Sequence, residues 1–218
     1  MRDAGFLIFD CDGVLIDSEP LANTAWAEVL NEHGFPVTPE DLAGRFTGVT
    51  DRSMAARLAE QFGRPVPREV ASSATARLLA RYERELGAIE GIARLLDADD
   101  RPRAVASSST PDKLMKGLEV TGLVSRFGRH IYSASLVPRG KPWPDLFLHA
   151  AAELGGDPAD CVVVEDSRAG VEAGVRAGMR VIGFTGGSHC REGHGAALIA
   201  AGAVAAVASA DELAALIR

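Results

Sequence analysis

Residues 6–13 read FLIFDCDG, a short apolar run that leads into two acids and a turn glycine. An apolar run that ends at a turn residue is typical of a buried strand. This strand would carry Asp10 and Asp12 to its C-terminal tip, which is where an open parallel sheet binds ligands. Two acids beside an apolar strand are costly to bury, so the arrangement requires a cation, a shared proton, or both.

Strand and helix patterns alternate along most of the remaining chain, which predicts an α/β fold with a Rossmann-like parallel sheet. In the helix after residue 166, we expect Val171 and Val175 to share a buried face and Gly174 to pack closely on the sheet. Further strands are predicted at residues 103–106, 131–132, 161–164, 181–184 and 203–207.

A long insert after the first strand has helical apolar spacing and no convincing strand. Ser18 is a candidate cap for the first of four predicted helices, and Pro39 occupies the first position of the second. The sequence therefore predicts a core domain of residues 1–15 and 89–218, into which residues 16–88 insert as an α-helical cap domain.

The composition excludes several classes of partner. The chain has 218 residues and a net charge of −7, which does not favour nucleic acid or an anionic membrane. No apolar run approaches the roughly 18 residues of a membrane span. The N-terminus lacks a signal-peptide layout, and the three scattered cysteines form no disulfide framework, so we expect a cytoplasmic protein.

Polar residues follow several of the predicted strands. Ser107 follows the strand at 103–106, and Glu165 and Asp166 follow the strand at 161–164. Lys141 lies in a loop before a predicted helix. Because the tips of parallel strands meet at one edge of a sheet, four acids, a hydroxyl and a lysine are expected to converge on one cleft.

These motifs together resemble the haloacid dehalogenase-superfamily phosphatases that carry a helical cap after the first motif, the β-phosphoglucomutase-like branch. The resemblance covers the whole chain and rests on four motifs in the family's order. They are residues 10–19 (DCDGVLIDSE), Ser107, residues 140–142 (GKP) and residues 165–170 (EDSRAG).

The resemblance implies roles for the acids. Asp10 would be the nucleophile that forms an aspartyl-phosphate, and Asp12 the acid and base that serve the leaving alcohol and the attacking water. Mg²⁺ would be held by Asp10, by the backbone carbonyl of Asp12 and by Asp166. Glu165 would act through a metal-bound water.

The resemblance also implies phosphate and substrate contacts. Ser107 would hold phosphate oxygens, and Lys141 would neutralise Asp10 and the transferring phosphoryl group. Substrate choice is expected to lie in the cap, because the core contacts only the phosphate. The further substrate-binding candidates are Gly48 and Arg52 in the loop at 47–53, together with Glu19 and Ser108.

Differences from three branches of the family limit the reactions that this chain is expected to catalyse. Asp12 is present, whereas the dehalogenases that resemble this chain lack the second acid. Ala22 replaces the histidine of the mutases, and residues 16–88 contain no lysine, unlike the cap of phosphonatases. The leading hypothesis is a monomeric, Mg²⁺-dependent phosphatase of a small phosphorylated metabolite, a sugar or sugar-acid phosphate. The alternatives are a phosphosugar mutase and a non-catalytic phosphate-binding protein.

One further cluster of residues has metal-binding chemistry. His189, Cys190 and His194 lie close together in the sequence, but their spacing fits no usual zinc pattern. We interpret the segment as a loop near the rim of the active site.

Overall fold

A computed structural model describes residues 5–46 and 51–217, without the side chains of residues 44–46, 51 and 52. Within these residues, six strands form one sheet in which every neighbouring pair is parallel. The strands are β1 (Phe6–Phe9), β2 (Arg103–Ser107), β3 (Ile131–Ser133), β4 (Cys161–Glu165), β5 (Arg180–Phe184) and β6 (Ala205–Val207).

The strand order is β3-β2-β1-β4-β5-β6, so the direction of winding reverses between β1 and β4. Phe9 of β1 lies in register with Val105 of β2 and with Val164 of β4. In a doubly wound sheet this reversal opens a crevice at the carboxyl ends of the strands. The predicted fold class is confirmed, and the crevice lies where the first acidic motif leaves β1.

Helices cover both faces of the sheet. Side chains of β1 alternate between two buried apolar clusters, with Leu7 and Phe9 in one and Ile8 in the other. Of the predicted helix face, Val171 is fully buried but Val175 is 44% exposed, so that part of the prediction is wrong. The flanking helices are α5 (Ile92–Asp97), α6 (Pro111–Val120), α7 (Asp145–Leu154), α8 (Arg168–Arg176), α9 (His194–Ala200) and α10 (Ala210–Ile217).

The face of α8 toward the sheet is built from small residues rather than from a second valine. A Cβ atom at Gly174 would lie 2.6 Å from Cγ2 of Val181, so only glycine allows this approach. The prediction of close packing at Gly174 is therefore confirmed, and the small residue brings α8 down onto β4 and β5.

The insert contains four helices with an apolar cluster of their own, which includes Trp26, Phe35, Leu42 and Leu58. Ser18 occupies the N-cap position of the first helix, but its side chain makes no capping hydrogen bond. The division into cap and core domains at the predicted boundaries stays a prediction. These helices are α1 (Glu19–Glu32), α2 (Pro39–Phe46), α3 (Asp51–Phe62) and α4 (Arg68–Glu85).

Among the described residues, no helix is both long enough and apolar enough to cross a membrane.

Candidate active site

Four of the predicted polar residues meet at the carboxyl ends of β1, β2 and β4. Asp10 continues the pairing of β1 with β4, because its backbone N–H donates to the carbonyl of Val164 at 2.9 Å. Asp10, Ser107, Glu165 and Asp166 are all buried, with exposures of 7%, 1%, 0% and 2%. The parallel register therefore brings residues that are distant in sequence into one buried polar cluster.

Lys141 joins two of these acids. Its Nζ atom donates to Oδ1 of Asp10 and to Oε1 of Glu165, each at 2.6 Å. The lysine side chain is 3% exposed, and its ammonium lies 5.0 Å from the centre of the Phe147 ring. The Lys141–Pro142 peptide bond is cis. The lysine loop thus supplies a buried positive charge next to Asp10.

Burial and charge shift the protonation equilibria of this pair. Burial raises the pKa of Asp10 well above its ordinary value, and the charge of Lys141 opposes that rise. Burial lowers the pKa of Lys141, but the neighbouring Asp10 and Glu165 outweigh it and raise that pKa overall. Lys141 therefore stays charged, and it is the group that stabilises ionised Asp10.

Glu165 has no exposed surface and is fully hydrogen-bonded. Its Oε2 atom accepts from the backbone N–H and the hydroxyl of Ser167, both at 2.9 Å, while Oε1 accepts from Lys141. A Cβ atom at Gly170 would lie 1.8 Å from Oε1, so α8 reaches this carboxylate only because residue 170 is glycine. These contacts hold Glu165 in place beside the lysine.

Asp12 is surrounded by hydroxyl groups. Its Oδ1 accepts from Ser18 at 2.5 Å, and its Oδ2 accepts from Ser109 at 2.8 Å and from Ser107 at 3.3 Å. The Ser18 hydroxyl is used here rather than for capping α1, which corrects that prediction. Because hydroxyls can also accept, this environment suits a carboxyl group that gains and loses a proton.

The cluster fits a hard divalent cation. Asp10, Glu165 and Asp166 each present an oxygen, and these atoms lie within 4.8 Å of one another. Oδ2 of Asp166 is buried and has no hydrogen-bond partner. Burial, followed by the charge of Glu165, raises the pKa of Asp166 well above its ordinary value. A buried carboxylate oxygen without a donor is costly, and Mg²⁺ prefers such oxygen ligands.

The cluster opens into a cavity of about 460 Å³. Asp10, Asp12, Lys141 and Asp166 line its floor. The opposite wall comes from the insert and combines polar and apolar side chains. Those wall residues are Ser18, Glu19, Ala22, Asn23, Trp26, Met54 and Tyr82.

The predicted substrate contacts are placed in part. Ser108 and Glu19 both line the cavity, whereas Gly48 and the side chain of Arg52 lie outside the described residues. Burial, followed by the charges of Asp12 and Asp166, raises the pKa of Glu19 to about 7. Glu19 can therefore present a protonated carboxyl group to the cavity near neutral pH.

Sequence reasoning missed Lys113 as a cavity residue. It lies in the first turn of α6 and lines the cavity beside Thr110. Within residues 5–46 and 51–217, Lys113 makes no ion pair, whereas Lys116 pairs with Glu83 and Lys141 with two acids. The scarcity of lysine, three in the chain, was the available signal.

The fold and this site can now be compared with known proteins. The model of one protein family, the haloacid dehalogenase-like hydrolases, matches residues 6–178, which include all the residues of the cluster. The chain belongs to this family. The resemblance on the four motifs is thereby confirmed, and the protein is a haloacid dehalogenase-like hydrolase.

Relatives of this haloacid dehalogenase-like hydrolase include a curated enzyme and solved structures. It is 32% identical over 184 residues to 6-phosphogluconate phosphatase of Escherichia coli K12, covering 84% of this chain and 83% of the relative. A haloacid dehalogenase-like protein of unknown function from Agrobacterium tumefaciens is 38% identical, with a TM-score of 0.87 and coverage of 98% and 97%. A family hydrolase from Deinococcus radiodurans with bound phosphate and sodium is 39% identical, with a TM-score of 0.79 and coverage of 98% and 96%.

Proposed function

We propose that this hydrolase is a Mg²⁺-dependent phosphomonoesterase that acts on a small phosphorylated metabolite, a sugar or sugar-acid phosphate. The observation that carries the proposal is the placement of Asp10. This carboxylate lies at the floor of the cavity, is held by buried Lys141 and presents an oxygen within 4.8 Å of an oxygen of Asp166. The name of the Escherichia coli relative, 6-phosphogluconate phosphatase, supports the reaction and the substrate class.

Asp10 is the proposed nucleophile. Its Oδ2 attacks phosphorus, the bond from phosphorus to the leaving oxygen breaks, and an aspartyl-phosphate forms. The Oδ1 atom stays hydrogen-bonded to Lys141, which fixes the carboxylate and offsets the negative charge that spreads over the phosphoryl oxygens. Water then attacks phosphorus and releases inorganic phosphate, which regenerates Asp10.

Asp12 is the proposed general acid and base. Protonated Asp12 donates to the leaving alcohol oxygen in the first step, and ionised Asp12 accepts a proton from the attacking water in the second. Hydroxyls of Ser18 and Ser109 hold both of its oxygens, so the carboxyl group keeps one orientation in the two charge states.

The proposed magnesium ligands are Asp10, Asp166 and the backbone carbonyl of Asp12. Bound Mg²⁺ would neutralise charge on the phosphoryl oxygens and on these carboxylates. Both oxygens of Glu165 already accept hydrogen bonds from Lys141 and Ser167. Glu165 would therefore contact the ion only through a bound water. The relative from Deinococcus radiodurans was solved with bound phosphate and sodium, which supports binding of an anion and a cation by a protein of this fold.

Phosphate oxygens are proposed to lie against Ser107 and Ser108 and the first turn of α6. The N-terminal end of a helix carries unpaired N–H groups and partial positive charge, which suit a phosphate. Lys113, which belongs to that first turn, lines the same cavity without an ion pair to another described residue. It is therefore proposed to bind a second anionic group of the substrate, such as a sugar-acid carboxylate.

The rest of the metabolite is proposed to contact the insert. Trp26 and Tyr82 line the cavity with the small exposed parts of their rings, while Asn23 and Glu19 line it with hydrogen-bonding groups. This combination suits a carbohydrate, whose ring has both apolar faces and hydroxyls. Gly48 and Arg52 remain proposed contacts of the same kind.

The mutase alternative is disfavoured by the wall of the cavity. Ala22 lines the cavity on α1, and it offers no group that could shuttle a proton to a sugar hydroxyl. A mutase must retain the phosphoryl group on Asp10 until the second sugar position is in place. No feature of the floor distinguishes the mutase from the phosphatase, so the test must measure both products.

The test is phosphate release from a panel of sugar phosphates, sugar-acid phosphates, polyol phosphates and nucleotides, with Mg²⁺ and then with EDTA. We expect Mg²⁺-dependent release from a narrow group of substrates, and loss of release in Asp10→Asn. Formation of an isomer without phosphate release would establish the mutase instead. A folded, Mg²⁺-loaded protein that binds phosphate esters but transforms none would establish the non-catalytic alternative.

A further inference from the structure

Three potential metal ligands meet where the loop that follows β5 enters α9. His189, Cys190 and His194 each offer a ligand atom, and these atoms lie within 4.8 Å of one another. Sγ of Cys190 is 3.5 Å from Nε2 of His189, and the two imidazole rings meet edge to face with their centres 5.7 Å apart. The proposed phosphatase reaction uses none of these three side chains.

His194 is oriented as a metal ligand would be. Its Nε2 atom lies 2.6 Å from the backbone carbonyl oxygen of Asp166. A carbonyl oxygen only accepts hydrogen bonds, so Nε2 carries the proton and Nδ1 keeps a free lone pair. Histidine ligands of metals are commonly held in this way, with one ring nitrogen donating to a carbonyl and the other binding the ion.

His189 supplies an independent sign that a ligand is missing. The residue is only 7% exposed, and its buried Nδ1 atom has no hydrogen-bond partner. Its Nε2 atom is 2.9 Å from Oδ2 of Asp166, yet the two atoms are not aligned for a hydrogen bond. A buried ring nitrogen without a partner is costly, and a cation bound to that nitrogen would remove the cost.

We propose that His189, Cys190 and His194 bind a divalent transition-metal ion of the Zn²⁺ class, at a site that adjoins the proposed magnesium site through Asp166. Two imidazoles and a thiolate are the ligands that Zn²⁺ and Co²⁺ prefer, whereas Mg²⁺ prefers oxygen. Binding forms a metal–sulfur bond and releases the Cys190 thiol proton to solvent, with no change of oxidation state. A fourth position is left for water or for Oδ2 of Asp166.

Asp166 connects this site to the phosphatase site. Its carbonyl oxygen contacts His194 and its Oδ2 lies against His189, while the same side chain is a proposed magnesium ligand. An ion held by the His189, Cys190 and His194 cluster would therefore draw the carboxylate away from Mg²⁺. This consequence, which rests on the proposed function, is inhibition of phosphate release by Zn²⁺ at a fixed Mg²⁺ concentration.

The test of the site itself is titration of the metal-free protein with Co²⁺, followed by absorption spectroscopy. We expect one equivalent of Co²⁺ to produce a thiolate-to-cobalt charge-transfer band in the wild type. Cys190→Ser should lose the band, and His194→Gln, which keeps an N–H donor for the Asp166 carbonyl, should weaken Co²⁺ binding about tenfold or more. Cys161→Ser is the matched control, because Cys161 is a buried thiol at the start of β4 and should leave the band unchanged.

Several outcomes would overturn the proposal. Co²⁺ binding without a sulfur band, or a band that persists in Cys190→Ser, would place the ion on the acidic cluster or on another cysteine. Zn²⁺ inhibition as strong in Cys190→Ser as in the wild type would overturn the link to Asp166. Because the spectroscopic test does not need turnover, its result stands whether or not the phosphatase proposal holds.

Discussion

The floor and the insert-side wall of the cavity are built on opposite principles. On the floor, Asp10, Lys141 and Glu165 are buried and joined by hydrogen bonds of 2.6 Å. On the wall, Trp26 and Asn23 come from α1 and Tyr82 from α4, in a mixture of apolar and polar surface. The floor has a single arrangement of charge that is set by the strand ends, whereas the wall combines apolar and polar groups from two helices of the insert.

This difference indicates that the floor serves the reaction and that the wall serves selection of the substrate. A charge network buried at strand ends can be changed only at the expense of the whole site, so it suits a reaction common to many substrates. A helical wall tolerates substitution, so it suits recognition of the part of the substrate that varies. Changes on the floor should therefore lower turnover for every substrate, and changes on the wall should alter the preference among substrates.

The largest effect is expected for Lys141→Met. This variant removes the positive charge between Asp10 and Glu165, so kcat should fall about 10²- to 10³-fold for every substrate. It also leaves buried acids without a partner, so the free energy of unfolding at pH 7 should fall by about 3 kcal/mol. Steady-state kinetics and urea unfolding measure the two effects.

Lys116→Met is the matched control for that variant. Lys116 pairs with Glu83 at the surface, where the side chains are 34% and 61% exposed. Loss of this exposed pair should lower the free energy of unfolding far less than Lys141→Met does and leave kcat unaltered. Equal effects of the two substitutions on kcat and on stability would mean that the buried charge of Lys141 matters no more than that of an exposed lysine.

A smaller effect on the floor is expected for Gly170→Ala. The added Cβ would meet Oε1 of Glu165 at 1.8 Å, so either α8 or the carboxylate must move. We expect a loss of about 1–3 kcal/mol in unfolding free energy, with lower kcat for every substrate. Gly87→Ala is the control, because no atom lies within 4 Å of its added Cβ. Unchanged kinetics in Gly170→Ala would show that the position of Glu165 does not matter.

Lys113→Met tests the substrate-facing part of the cavity. If Lys113 binds a second anionic group, KM should rise about tenfold for sugar-acid phosphates and stay constant for neutral polyol phosphates, with kcat nearly unchanged. The ratio of kcat/KM values for the two classes is the measurement. An equal loss of kcat/KM for both classes of substrate would mean that Lys113 contacts the transferred phosphate and does not select between substrates.

The smallest effect concerns the pH dependence of stability in Glu19→Gln. The pKa of Glu19 is raised from 4.5 to about 7, so between these values the folded protein binds more protons than the unfolded chain. Stability must therefore fall as pH rises through this window. Urea unfolding in EDTA should give a shallower fall for Glu19→Gln than for the wild type.

Glu83→Gln is the control of opposite sign for that measurement. Its pKa is lowered by the hydrogen bond with Lys116, so Glu83 contributes stability that is lost as pH falls below about 4.5. Between pH 4.5 and 7 the Glu83→Gln curve should thus run parallel to that of the wild type and slightly below it, because the pair with Lys116 is lost. A Glu19→Gln curve that is also parallel to the wild type would mean that Glu19 titrates like an exposed acid.

The strand tips were predictable from the sequence because backbone register decides them. Once β1 and β4 are recognised as parallel neighbours, Asp10 and Asp166 must lie at the same edge of the sheet. Features that depend on side-chain direction were not predictable. Ser18 turns to Asp12 rather than to its helix, and Val175 faces solvent while Gly174 takes the packing position.

Loop geometry set a second limit on sequence reasoning. Standard ligand spacings describe zinc sites in a few recurrent folds, and residues 189–194 match none of them. Both rings lie against Asp166, a residue of another segment: Nε2 of His194 donates to its backbone carbonyl, and Nε2 of His189 lies 2.9 Å from its Oδ2. A spacing rule carries no information about such a long-range contact.

The strand order also has a consequence for folding. Lys141 and Asp10 are separated by 131 positions in the chain, and Leu7 of β1 pairs with Arg103 only across the whole insert. Contacts of such long range form late, because the entropy of closing large loops opposes them. A nascent chain that has completed α1 to α4 still lacks β4 and its acids. During refolding, activity should thus return later than helical content, because activity requires β4 to join the sheet.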